Sequence, residues 1–309
     1  MEPFVIGLVA VSAVLHVAWN VRLKTAGDPL RAATIGMLAA SIGIVPAGII
    51  AWWLDGAPVL PIEGVALGIA SGVVEGVYFV FLAAAYRRGD LSVVYPIARG
   101  TAPLIAVALG VALLGERLGA GGSIGVVALL GGFLWLQRPW RAVATARART
   151  QPGEGIGAPV TSRRIAGSPI PFALATGVTI ATYSAIDRVG TRLIDPLPYA
   201  AILWVTSSVV LVLWIALVTG GGLLRDGRAA TRHAAVGGWL TLAAYLCILT
   251  ALSVAPLSGV APLRESATVF AAAWGSVRMG EAADRAEVGR RIGASVLIVG
   301  GALLLATGG

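Results

Sequence analysis

LSVVYPIARGTAPLIAVALGVALL, residues 91–114, is the stretch on which the fold turns. It carries one charge, Arg99, inside a run long enough to cross about 30 Å of hydrocarbon as a helix. Pro96, Gly100 and Pro103 stand around that charge, residues that remove backbone donors or weaken a helix.

Outward from it, nine more apolar runs follow the same rule, at 4–21, 31–53, 62–86, 120–137, 170–191, 197–219, 234–254, 257–277 and 289–307. The chain has 309 residues, 57% hydrophobic and 12% charged, with a mean hydropathy of +0.87. A soluble domain carries about 25% charged residues. Lipid supplies no hydrogen bonds, so a spanning chain is a helix bundle or a closed barrel. Strand-like alternation is absent, which leaves the bundle. The expected fold is an all-α polytopic membrane protein of ten transmembrane helices. MEPFVIGLVAVSAVLHVAWN, residues 1–20, has no basic segment before its apolar run and reads as a retained first helix rather than a cleaved signal. Cys247 is the lone cysteine, so no intrachain disulfide is available.

The connections divide by charge. Odd-numbered connections hold eighteen Lys and Arg, and even-numbered ones hold three. By the positive-inside rule the odd connections are cytoplasmic and both termini lie outside. That distribution also accounts for the net charge of +8 without a nucleic-acid partner. The longest connection, 138–169, is basic and rich in Pro and Gly, and reads as a linker without a core. It separates five spans in 1–137 from five in 170–309.

The two halves lie on each other. Arg99 and Gly115-Glu116 match Arg264 and Gly280-Glu281 at an offset of 165. Asn20 and Asp28-Pro29-Leu30 match Asp187 and Asp195-Pro196-Leu197 at 167, and Gly131-Gly132 matches Gly300-Gly301 at 169. A repeat with an odd number of spans is inverted in the membrane, an arrangement that puts a transporter's substrate site near the midplane between the repeats.

At these residues the chain resembles the EamA family of the drug/metabolite transporter superfamily. The likeness rests on LHVAWN at 15–20, the DPL after it, VYPIARGTAPL at 94–104 and LGE at 114–116. It covers nearly everything except the linker. The resemblance implies a secondary transporter, often an exporter of amino acids or other metabolites, in a bacterial inner membrane, with a cavity between two five-helix repeats. Smaller four-helix members use a glutamate in their first span; this chain has His16 there and no acid.

Charges inside a bilayer are costly and mark function or pairing. Glu75, Arg99, Arg264 and Glu265 lie well inside spans. Arg99 is about 14 Å beyond Asp90 along a helix, and Arg264 is its equivalent in the other half. Arginine offers a planar fork to a carboxylate or phosphate but does not give up its proton. A carboxylic acid can, because leaving water favours its neutral form. Arg99 and Arg264 are therefore assigned to an anionic group, and Glu75 and Glu265 to an amine or to proton coupling. Glu75 and Arg99 fall at similar depths, so a purely structural pair is the alternative. His16 and Asn20 share one face, as do Tyr183 and Asp187 in the equivalent span; with Trp19 they are candidate cavity walls or interhelical hydrogen bonds. Glu116 and Glu281, at span ends, are expected to be structural, and the glycine pairs to serve close packing or a homodimer face.

No HExxH, Cys/His cluster or paired-aspartate diphosphate motif occurs, which argues against an enzyme. No cofactor or metal is expected. The leading reading is a transporter, in direction an exporter, of a small polar or amphoteric metabolite such as an amino acid or organic anion. The alternative is a flippase for a lipid or lipid-linked sugar. Partners are then a small-molecule substrate and the lipid bilayer.

Overall fold

The computed structural model describes residues 2–89, 91–138, 140–141, 143–144, 168–218, 220–265 and 285–307. Ten principal helices account for them: α1 (Pro3–Lys24), α2 (Pro29–Leu54), α3 (Ile62–Arg88), α4 (Leu91–Ala112), α5 (Ala120–Gln137), α6 (Ile170–Gly190), α7 (Pro196–Val218), α8 (Gly227–Val254), α9 (Leu257–Glu265) and α10 (Arg285–Thr307). No strand occurs among the described residues. Six helices (α1, α2, α3, α6, α7 and α8) are long and apolar enough to cross a membrane, and α4 and α5 offer shorter apolar stretches, Ile97–Ala112 and Ala120–Trp135. The second part of the ninth predicted span, Gly280-Glu281 and most of the 138–169 linker lie outside the described residues.

Both Asp-Pro-Leu stretches open a helix. Pro29 and Pro196 are first residues of α2 and α7, where a missing N–H costs nothing and the fixed φ suits the helix. Asp28 caps α2, its Oδ1 accepting from the amides of Leu30 at 2.9 Å and Arg31 at 3.3 Å. The carbonyls of Asp28 and Asp195 then accept from the residues four ahead, Ala32 and Tyr199, each at 3.0 Å.

Helix α8 begins at Gly227, seven residues before the predicted span. The extension carries Arg228, Arg232 and His233, which hydropathy excludes from hydrocarbon although they continue the helix. Helix α2 holds a proline that the charge-centred reading passed over, Pro46.

The principal packing partners are α5 with α10, α3 with α6 and α7, α1 with α8, α2 with α7 and α8, and α4 with α6 and α9. The core sits where α1, α2 and α3 meet α6, α7 and α8, around Trp19, Met37, Phe79, Tyr183, Tyr199, Trp204 and Leu249. One glycine of each pair joins α5 to α10. A Cβ on Gly132 would meet Ala294 O at 2.9 Å, and one on Gly301 would meet Gly125 O at 2.6 Å. Gly131 and Gly300 have open space around them.

Contacts between helix ends respect parity. Arg22 near the first connection meets His233 near the seventh at 3.2 Å, and Arg31 meets Asp226 at 3.4 Å. Glu116 in the fourth connection meets Arg188 near the sixth and Leu257 beside the eighth. The first and seventh connections therefore share one end of the bundle, and the fourth, sixth and eighth come together, as expected if successive helices traverse one slab in alternating directions.

Candidate functional site

Arg99 on α4 and Arg264 on α9 are each only 6% exposed, on two helices that pack together. Pro262 lies inside α9 two residues before Arg264. Pro96 and Pro103 bracket Arg99 on α4, where each removes a helical backbone bond.

Arg264 reaches three other helices. Its Nη2 approaches Nε2 of His16 on α1 at 3.5 Å. It lies within electrostatic reach of Tyr183 on α6, and its guanidinium lies 6.0 Å from the ring centre of Tyr245 on α8. A guanidinium only donates, so the His16 contact uses the lone pair of Nε2 and puts any ring proton of a neutral His16 on Nδ1. His16 also lies within the electrostatic reach of Arg99.

Glu75 on α3 is 3% exposed, and its Oε2 meets no hydrogen-bond donor among the described residues. The charges acting on it are foremost those of Asp187, which repels it, and Arg264, which attracts it. Its electrostatic setting includes the cluster around Arg264.

Asp187 on α6 is fully buried and fully engaged. Its Oδ1 accepts from Ser71 Oγ on α3 at 2.5 Å and from Tyr199 OH on α7 at 2.9 Å, and Oδ2 accepts from Tyr245 OH on α8. Four helices meet at this one carboxyl group. Hydroxyl donors of this kind allow a buried carboxylate to stay ionised. Of the two central acids, Asp187 is satisfied by the protein, and Glu75 retains an open acceptor.

Aromatic rings bind the cluster together. Edge-on contacts run from His16 to Trp19 (4.9 Å), Trp19 to Phe79 (6.3 Å), Phe79 to Tyr78 (4.8 Å), Tyr78 to Tyr183 (5.8 Å) and Tyr183 to Tyr245 (5.7 Å). Contacts of this geometry are worth about 0.5–1.5 kcal/mol each beyond burial. The described cavities near the centre are small, about 20 Å³ beside Trp19 and about 10 Å³ beside Arg264.

Of the predicted site residues, His16, Trp19, Glu75, Tyr183, Asp187 and Arg264 converge, and Arg99 on α4 is within electrostatic reach of His16. Asn20 turns away from them, its Nδ2 donating to His16 O on its own helix at 2.8 Å. The Glu265 side chain lies outside the described residues. Sequence reasoning missed the hydroxyl donors Ser71, Tyr199 and Tyr245. Nothing in the spacing of Ser71 and Asp187, 116 residues apart, announces their contact.

Glu116 does have the structural role expected of it, in full detail. Gly115 takes a φ of +65°, and the Glu116 amide folds back onto Gly110 O at 3.0 Å. The carboxylate then receives the first two amides of α9, Leu257 N at 2.6 Å and Ser258 N at 2.8 Å.

Residues 3–137 match the family model described as the EamA-like transporter family. No curated protein matches the chain. Among solved structures, one described only as the crystal structure of a protein aligns with a TM-score of 0.63 at 22% identity, covering 97% of this chain and 94% of its own. At that identity the likeness speaks for the fold alone.

Proposed function

From the match of residues 3–137 to the EamA-like transporter family of the drug/metabolite transporter superfamily, we propose that this chain is a secondary active transporter of a small polar or amphoteric metabolite, in direction an exporter. That match, with the apolar helices, supports an integral membrane protein of the transporter type; substrate class, direction and coupling are our reading. The observation that carries it is the buried constellation of Arg264, Arg99, Glu75 and His16, drawn from both halves of the chain into the middle of an otherwise apolar bundle. Arg264 and Arg99 receive the anionic group, and Glu75, with its open acceptor, receives an amine or carries the coupled proton.

Two inverted five-helix repeats, 1–137 and 170–309 about the 138–169 linker, are part of the proposal. Helix packing supports it. Exchanging each helix with the one five later preserves α2–α7, α4–α9 and α5–α10, turns α3–α6 into α1–α8, and turns α3–α7 into α2–α8. The loop charges support a bacterial inner membrane orientation with both termini outside.

The test is uptake and efflux of a metabolite panel in proteoliposomes at two internal pH values, with Arg99→Ala and Arg264→Ala beside wild type. Movement of at least one solute, lost in both variants, is the expected result. Movement of fluorescent phospholipid between leaflets with no solute transport would favour the flippase instead. Reporter fusions at Gly309 test the orientation separately.

A further inference from the structure

The small cavity beside Arg264 is the inner part of a crevice between α4, α6, α8 and α9, and its outer end is pinned shut by two residues with no role so far in substrate handling. Ala106, Ser184 and Val260 flank it, with Leu252 and Leu257 toward the α8–α9 turn. Leu257 opens α9 and Arg264 lies seven residues on, about 10 Å deeper. At about 10 Å³ the space holds at most about one water.

Both walls of the outer end are held by one ion pair. Arg188 Nη1 donates to Leu252 O in the last turn of α8 at 2.6 Å, and Glu116 takes the amides of Leu257 and Ser258. Arg188 Nε and Glu116 Oε1 are 3.4 Å apart, with side chains 12% and 7% exposed. Gly110 makes room, since a Cβ there would strike the Glu116 carboxylate. Between this latch and Arg264 lies Pro262, which removes a helical hydrogen bond from α9 where the segment would hinge; Pro103 lines the cavity from α4.

We propose that Glu116 and Arg188 are positioning residues that hold the α8–α9 turn closed over this crevice, and that the crevice is the route between Arg264 and the even-connection face, by which an anionic group leaves the site in export. The inference rests on the transporter reading above and names its gate. Releasing either side chain frees the turn while the Asp187 hub, on other residues, stays intact.

The test places Ala106→Cys in a Cys247→Ser background and measures modification of the purified protein by membrane-impermeant methanethiosulfonates, sulfonatoethyl (anionic) and trimethylammonium-ethyl (cationic), each normalised to its rate with a free thiol. Glu116→Gln and, independently, Arg188→Gln are expected to speed labelling at 106 at least tenfold. Labelling of Ala200→Cys, buried on α7, should not change. The anionic reagent should outpace the cationic one, and Arg264→Gln should abolish that preference. Rates at 106 within twofold of the parent, a parallel rise at 200, or equal anionic and cationic rates would overturn the proposal. Labelling needs no substrate, so a latch that responds while no solute moves in proteoliposomes would defeat the transporter reading alone.

Discussion

Tyr199 on α7 donates its hydroxyl to Asp187 Oδ1 on α6 at 2.9 Å, and Ser71 and Tyr245 complete the shell around the same carboxyl group from α3 and α8. The first half of the chain and three helices of the second are thereby joined through one residue. Hydrogen bonds between membrane helices average about 0.6 kcal/mol and reach about 1.7, and those to charged groups lie at the upper end. Tyr199→Phe is expected to cost about 1–2 kcal/mol. Asp187→Ala strands three buried hydroxyls at once and should cost about 3 kcal/mol or more. Denaturant titration of the purified protein in micelles measures both; equal losses would mean that Asp187 is held by packing alone.

Glu75 gives the opposite expectation. Its Oε2 has no donor among the described residues, and the Asp187 charge repels it. Glu75→Gln therefore gives up no hydrogen bond at that oxygen and removes a repulsion. The variant should unfold at or above the wild-type temperature while losing the response of transport to a pH gradient. A midpoint several degrees lower would show that the carboxylate is a structural element, and full pH-dependent transport would remove its coupling role.

What the sequence discloses and what it hides follow from the range of the interactions. Hydrocarbon thickness acts on contiguous residues, so all ten helices were readable from apolar runs. The method fails where helix and hydrocarbon part company, as at the start of α8, which continues through Arg228 and Arg232. Asp28-Pro29-Leu30 was readable as a repeat of Asp195-Pro196-Leu197, and its capping role is local to the sequence. The central arginines were readable because a lone charge among apolar neighbours is itself a signal. Ser71, Tyr199 and Arg188 were not, because each acquires its meaning from a partner on another helix, and Ser or Tyr in a span is unremarkable alone. Asn20 and Asp187 hold equivalent places in the two halves, yet one turns back to its own helix and the other gathers three hydroxyls.

Arg264 is expected to be less replaceable than its charge suggests. It meets His16, Tyr183 and the Tyr245 ring together, which a planar fork can do and a point charge cannot. Arg264→Lys should raise KM for an anionic substrate about tenfold, or ~1.4 kcal/mol, with a smaller change in kcat. Arg264→Ala should do more. Proteoliposome kinetics on the solute found in the panel decide the point; a lysine variant with wild-type KM would assign Arg264 a purely electrostatic role.

The Asp28 cap separates a local contribution from a long-range one at the odd-connection end. Asp28 accepts from two amides of α2 and also lies 3.7 Å from Arg31, which reaches Asp226 before α8 at 3.4 Å. A lost cap costs about 1 kcal/mol, whereas an exposed ion pair is worth about 0–1 kcal/mol and is screened by salt. These side chains are 19–38% exposed, so the cap should dominate. Asp28→Asn keeps an acceptor oxygen and should retain most of the stability. Asp28→Ala should lose about 1 kcal/mol, with little dependence on salt. Asp226→Ala should be nearly silent above about 0.5 M salt, where the screening length falls below about 5 Å. Unfolding midpoints of the three variants at low and high salt are the measurement. A strongly salt-sensitive loss in Asp28→Ala would mean that the Arg31 bridge, and not the cap, holds this end of the bundle.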